Sequence, residues 1–349
     1  MSHAEPVSRR LWSDWLFERV PLPPVVFGAL LAAALLGLLA LLAVATGALD
    51  RLAAEGSSWW QDRDGRVAAL LALLAGTIPA ALRYHELGTR RNLDALAAAN
   101  LWPGGPPAAL RRATSGSPRA ALWFGLSGFL LIPAVAYTVD RDAGLYFTAR
   151  YWGLGQIWTW LVGCFVTFTG GILTYRAFAD ARTFARLARS LPAVDLLERD
   201  ALLPFARQGL RSAVPGVIFA TFLALNLGDE GFLFATVLLG LIMGVQNVAT
   251  LLLPVRGLHE RLRAAKREEL ARVNAAIRGD AGALRGSPLG RRERPALADL
   301  LAWRRFVESV PEWPIDVSTL GRTALYVGIP LLSWVGAALV ERVLDLAIG

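Results

Sequence analysis

Cysteine is almost missing from this chain: Cys164 is the single copy, inside an apolar run. That excludes an intrachain disulfide, a CxxC redox pair and a cysteine-built zinc cluster. Histidine is nearly as scarce. His3, His85 and His259 are scattered with no HExxH among them, so no catalytic zinc site is expected. Lysine is reduced to Lys266, one of 36 basic residues, and it stands between Ala265 and Arg267. A P-loop needs a Gly-Lys pair and therefore has no candidate here. Gly153 and Gly155 begin a dinucleotide-binding pattern that Trp158 breaks, and Gly125-Leu126-Ser127-Gly128 lacks the last glycine of a nucleophile elbow. Arginine in place of lysine is a compositional trait of high-GC bacterial coding and suggests a bacterial chain.

Charge is absent where it would matter most. The long apolar runs hold no ionisable residue in their centres, and such residues are the usual pointer to a proton relay, an ion path or a gating charge. A proton-driven pump and an intramembrane aspartyl protease are both disfavoured. No cofactor or metal is expected, and the chain reads as a non-enzyme.

Apolar length is what the sequence has in excess. Hydrophobic residues make up 55% of the 349 and the mean hydropathy is positive, beyond the share usual in a soluble domain. Residues 25–49 form an uncharged run, longer than the ~20 helical residues a bilayer core requires. The charged lead before it and its length argue for a retained helix over a cleaved signal peptide. Further runs at 67–82, 121–139, 151–175, 213–227, 232–255 and 323–340 bring the expected number of spans to seven. The run at 67–82 is short and spans only if Arg66 and Arg83 snorkel or the bilayer thins.

The formal net charge of +8 is a matter of topology. With a cytosolic N-terminus, segments 1–24, 83–119, 176–212 and 255–322 carry 30 of the 36 Lys and Arg residues, the asymmetry the positive-inside rule describes. Nucleic acid is accordingly not an expected partner; the lipid bilayer is, with a homo-oligomer or a cytosolic protein as the soluble-side candidates. The expected fold class is all-α: a multi-pass inner-membrane protein with helices one to six in residues 1–254, a cytosolic antiparallel helical hairpin at 255–322, and helix seven with an outer tail at 323–349.

Several segments read as interfacial. Trp12, Trp15, Leu16 and Phe17 lie between Arg10 and Arg19, and Trp59 with Trp60 suits the opposite interface. A helix-like piece at 92–101 ends at Pro103 to Pro107. Between 176 and 212, Phe178, Phe184, Leu187, Leu191 and Phe205 recur among arginines with Pro192 and Pro204 as breaks, which reads as amphipathic helix lying on the membrane surface. His85 and His259 are each followed by glutamate. They could titrate as a sensor, but so short a match favours plain interfacial side chains. The runs also fall into outward-then-inward pairs followed by basic segments, and Arg83-Tyr84-His85-Glu86 has a faint echo around His259-Glu260.

Two patterns are sharper. In the fourth span Gln156, Gly163 and Thr167, and in the sixth Thr236, Gly240, Gly244 and Asn247, fall at helical spacing. Small and polar residues in such an arc make either a helix-packing seam or a pore lining, and packing is the commoner use. Counting from the outer ends, an offset near 80 residues puts Thr167 level with Asn247 and within hydrogen-bond reach, and makes Gly244 a close-packing position. In the hairpin, Val255, Leu258, Leu262, Ala265, Leu270, Val273 and Ile277 share one face, interrupted by Lys266 and Glu269. Leu297, Leu300, Leu301, Trp303, Val307 and Val310 share the returning face, interrupted by Arg304 and Glu308. Folding near Ser287 sets Lys266 against Glu308 and Glu269 against Arg304, a register that paired charges would fix. The function expected from all this is a scaffold or signal-coupling element acting through the hairpin, with a channel-like conduit along the fourth and sixth spans as the alternative.

Overall fold

In the computed structural model, residues 19–20, 22–54, 56, 62–102, 117–130, 154–192, 194–224, 233–291 and 295–313 are described, and among them every regular element is helical. The N-terminal tryptophans, Trp59 and Trp60, the turn at 228–231 and the seventh apolar run at 323–340 lie outside these residues. The helices are α1 (Pro24–Ala45), α2 (Ala48–Ala54), α3 (Arg63–Ala98), α4 (Pro118–Phe129), α5 (Leu154–Arg189), α6 (Leu203–Ala224), α7 (Leu233–Ile277) and α8 (Leu297–Ser309). Short 3-10 turns occupy Arg199–Leu202, Ala281–Leu284 and Pro288–Arg291. Four helices, α1, α3, α5 and α7, are long and apolar enough to cross a membrane, and the chain is a membrane-associated helical protein on that ground.

Among the described residues the architecture is three antiparallel pairs: α1 with α3, α4 with α5, and α6 with α7. Backbones touch at each crossing. Gly76 lies against Ala32 and Gly28, Gly171 against the Phe124 carbonyl, and Gly209 against the Leu251 carbonyl, so a side chain at any of the three would overlap its neighbour. The three long helices run parallel. Trp158 Nε1 donates to the Ala68 carbonyl at 3.1 Å near one end of α3 and α5, and Thr89 Oγ1 donates to Asp180 Oδ2 at 2.9 Å near the other. Gln246 Nε2 donates to Thr174 Oγ1 at 3.2 Å between α7 and α5. Their arginine-rich ends therefore gather on one side.

Length explains the two-part core. A helix of 36 residues, as in α3 and α5, is about 54 Å long, well beyond a ~30 Å hydrocarbon core. One cluster, around Leu74, Ile78, Ala121, Val166 and Ile172, fills the apolar half. A second lies among the arginines, where Phe184, Leu187, Leu191, Phe205 and Leu258 are fully buried, with Leu96, Val307 and Val310; the Phe184 and Phe205 rings meet edge to face at 5.9 Å. The 176–212 segment thus departs from the surface-lying helix its pattern suggested: α5 continues straight to Arg189, and its apolar side chains face α3, α6 and α7. The piece expected at 92–101 is likewise the end of α3.

Beyond α7 the chain stops at a defined cap. Gly279, at φ 102, donates to the Ala276 carbonyl while Asp280 N–H donates to the Ala275 carbonyl, the paired bonds of a Schellman motif that a left-handed residue makes available. After the 3-10 turns, α8 packs back along α7, burying Leu300, Val307 and Val310.

Candidate functional site

Among the described residues three polar features interrupt the apolar packing, in order from the apolar half toward α8. The first is a cavity of about 270 Å³ between α3, α4, α5, α6 and α7, at the level of the apolar half. Leu74, Ile78, Phe124, Val166 and Ile242 are among its apolar wall residues, and Thr77, Ser127, Thr167, Thr174, Ser212, Gln246 and Asn247 supply polar atoms; among the described residues no charged side chain lines it. Most of these hydroxyls are bonded at home. Thr77 donates to the Leu74 carbonyl, Ser127 to that of Phe124, and Thr167 to that of Gly163 at 3.0 Å. Among the described residues the Asn247 carboxamide has no hydrogen-bond partner, and it sits directly against Gly216.

The second feature closes the floor of that cavity. His85 is 1% exposed, with Nε2 3.2 Å from Ser212 Oγ and Nδ1 3.5 Å from Asp180 Oδ2. Gln208 Nε2 donates to Thr89 Oγ1 at 3.0 Å and its carbonyl accepts from Asn92 Nδ2 at 2.9 Å, so the network links α3, α5 and α6. Glu86 beside it is paired with Arg83 and Arg90. The order Asp180, His85, Ser212 resembles a hydrolytic triad in its sequence of contacts, yet the Ser212 hydroxyl is given to the Gln208 carbonyl at 2.9 Å. Buried polar groups so fully connected specify how helices meet. Sequence reasoning passed His85 over as an interfacial side chain; its partners lie on two other helices, and no local spacing announces them. His259 differs: Nδ1 is 3.0 Å from the Glu312 carbonyl, and its ring stacks on Trp313 at 4.3 Å between centroids.

The third feature fastens α8. Glu269, although a carboxylate, is buried and accepts from Trp303 Nε1 at 2.8 Å, from the Ser287 hydroxyl and from Arg272 Nη1 at 3.4 Å. Lys266 Nζ donates to the carbonyl oxygens of Glu308 at 2.7 Å and Val310 at 2.9 Å. Lys266 and Glu308 are therefore neighbours, but the ammonium meets the backbone at the end of α8 while the Glu308 carboxylate turns to Arg304 at 2.9 Å. Glu269 and Arg304 do not pair. Arg304 points to solvent and reaches one turn along its own helix, the cheaper arrangement for an exposed guanidinium.

The small-residue seam is also rearranged. α5 and α7 touch, but the bonds from Gln246 to Thr174 and from Arg261 to the Arg189 carbonyl both span 72 residues, and Gly257 against Ala185 keeps the same offset. An eight-residue shift from the expected 80 is about 12 Å along a helix, so Thr167 and Asn247 line one cavity at different heights and do not bond. Gly257, seated against Ala185, Ala188 and Arg189, fixes that register. Gly244 is exposed, and among the described residues a side-chain carbon there would meet nothing within 4 Å. Gly163 is buried, while Gln156 and Gly240 are half-buried and outside the cavity wall; the side chain of Thr236 lies outside the described residues. Among the described residues no group of histidine, cysteine and carboxylate side chains could hold a metal ion. No protein-family model, no curated protein and no solved structure matches this chain.

Proposed function

We propose that this chain is a non-catalytic, multi-pass protein of the bacterial inner membrane that couples its membrane helices to a protein contact in the cytosol. Seven spans with a cytosolic N-terminus put the arginine-rich ends of α3, α5 and α7 inside, and the residues around 255–322 act as a cytosolic helical hairpin. The observation that carries the reading is α7 itself. It is one helix from Leu233 to Ile277, touching the cavity through Gln246 and Asn247 and holding α8 through Lys266 and Glu269. Pro254 lies inside it, where a backbone donor is missing, but no loop separates the two ends and a shift at either is carried along one continuous helix.

The outer face of α8 supports protein contact. Leu297 and Leu301 are 58% and 42% exposed, and Phe306 and Trp313 are also exposed. Leu300, one residue before Leu301, packs with Val273, which is 18 residues or about 27 Å beyond Val255 along the helix. Bilayer lipid is therefore not the natural cover for Leu297 and Leu301, and an apolar protein surface is. The test is the native mass of the complex in mild detergent. The reading expects a defined assembly heavier than one 37.7 kDa chain, reduced to the single chain by Leu301→Asp; a monomer for both proteins would contradict it. A conduit is the second reading, favoured by the polar atoms of Thr167 and Asn247 in the cavity wall. A water-permeation assay in vesicles separates the two.

A further inference from the structure

We infer that the cavity between α3, α4, α5, α6 and α7 is a binding site for a neutral amphiphile, a molecule with a carbonyl- and hydroxyl-bearing head and an aliphatic tail, taken from the bilayer. The chemistry of the wall selects the class. An uncharged, mostly apolar lining penalises any ion that leaves water, so a charged head is excluded and a neutral one admitted. A carboxamide offers a donor and an acceptor together. Among the described residues Asn247, seated against Gly216 in the cavity wall, has a hydrogen-bond partner for neither, and Gln246, which gives one N–H to Thr174, has none for its side-chain carbonyl oxygen. An apolar pocket with a few convergent polar groups is the usual form of a small-molecule site.

Volume and position fix the source. About 270 Å³ falls just short of the ~300–1,000 Å³ typical of pockets that enclose a whole ligand. It holds a head and the first part of a chain and leaves the rest of the tail in lipid. Phe124 and Ile242, on the rim, are exposed at the level where α4 and α7 face the hydrocarbon. The inner end is closed by Ser212, held by His85, so entry is from the side. Gly170 leaves free volume: among the described residues a side-chain carbon there would find only Ile78 Cδ1, at 3.9 Å. The inference deepens the signal-coupling reading, since Gln246 and Asn247 belong to α7, and the two fail separately: occupancy is a property of the cavity, native mass a property of α8.

The test uses the full chain in phosphatidylcholine vesicles with a monoacylglycerol carrying a diazirine in its acyl chain. Irradiation is expected to give saturable labelling of α3, α5 and α7 peptides that unlabelled monoacylglycerol competes away. Asn247→Leu and the filling variant Gly170→Leu should each lower it at least fivefold. A diazirine-tagged phosphatidylcholine reports the lipid-facing side chains Leu241 and Val245 and shows that both variants still insert. Labelling of the wild-type chain that does not saturate, or that the matching anionic fatty acid gives equally, overturns the inference whatever the variants do. So does labelling unchanged in both variants.

Discussion

Lys266 and Glu308 face each other across α7 and α8, yet the ammonium bonds the Glu308 backbone carbonyl at 2.7 Å and not its carboxylate. With a second bond to Val310, the chain's one lysine satisfies carbonyls that the end of α8 leaves open, and a cation at a helix C-terminus is favoured by the dipole as well. Lys266→Met is therefore expected to destabilise the attachment of α8 by about 1–2 kcal/mol, read as faster amide exchange across Leu297–Ser309. A charge swap should give no rescue: Lys266→Glu with Glu308→Lys is expected to behave as the sum of the single changes, and full recovery in the double variant would restore the side-chain pairing.

Glu269 makes the larger contribution. Glu269→Ala leaves the Trp303 N–H and the Ser287 hydroxyl without their acceptor, with an expected cost of about 2–3 kcal/mol. Glu269→Gln keeps one acceptor oxygen and should cost less. Limited proteolysis within 281–296 is the assay, and equal resistance of wild type and Glu269→Ala would show that the carboxylate holds nothing.

In the buried network, His85→Leu strips Asp180 and Ser212 of a partner at once, an expected loss of about 2–4 kcal/mol by thermal unfolding in detergent. Removing the acid as well, His85→Leu with Asp180→Leu, should recover part of it: Thr89 loses its acceptor, but no buried carboxyl is left without its imidazole partner. A double variant worse than His85→Leu by the full cost of the second change contradicts this coupling.

Two glycines separate packing from pattern. Gly171→Leu drives a side chain into the Phe124 carbonyl and is expected to prevent assembly of α4 on α5, whereas Gly244→Leu, with no described residue within reach of its first side-chain carbon, should leave thermal stability within about 0.5 kcal/mol. Similar yields and melting curves for the two would show that the α4–α5 crossing is not as close as described.

Much of the apolar framework could be read from the sequence because it is carried by long uniform runs. The run at 25–49 covers all of α1 but its first residue, Pro24, and helical phase alone places Val255, Leu258, Leu262 and Val273 on the face of α7 that is buried. The arginine-rich extension of α5 departs from its sequence pattern for a physical reason. Apolar residues interleaved with arginine look the same whether the apolar face meets lipid or three other helices, and only the fold supplies those helices. Gly244 failed similarly: spacing places a glycine on a face but does not say what the face meets, and the crossing glycines, Gly76, Gly171 and Gly209, are known only from their neighbours. The network of His85, Asp180, Gln208 and Ser212 has no periodicity at all, since its members are brought together from three helices.

Everything functional here depends on the arginine-rich ends of α3, α5 and α7 lying in the cytosol. In a Cys164→Ala background, Arg278→Cys places one thiol at an exposed position just past α7, clear of the buried Ser287. A membrane-impermeant maleimide applied to intact cells with a permeable outer membrane should leave it unlabelled and should label it fully once the inner membrane is opened. Full labelling before opening would put α8 and its apolar face outside the cell and contradict the account.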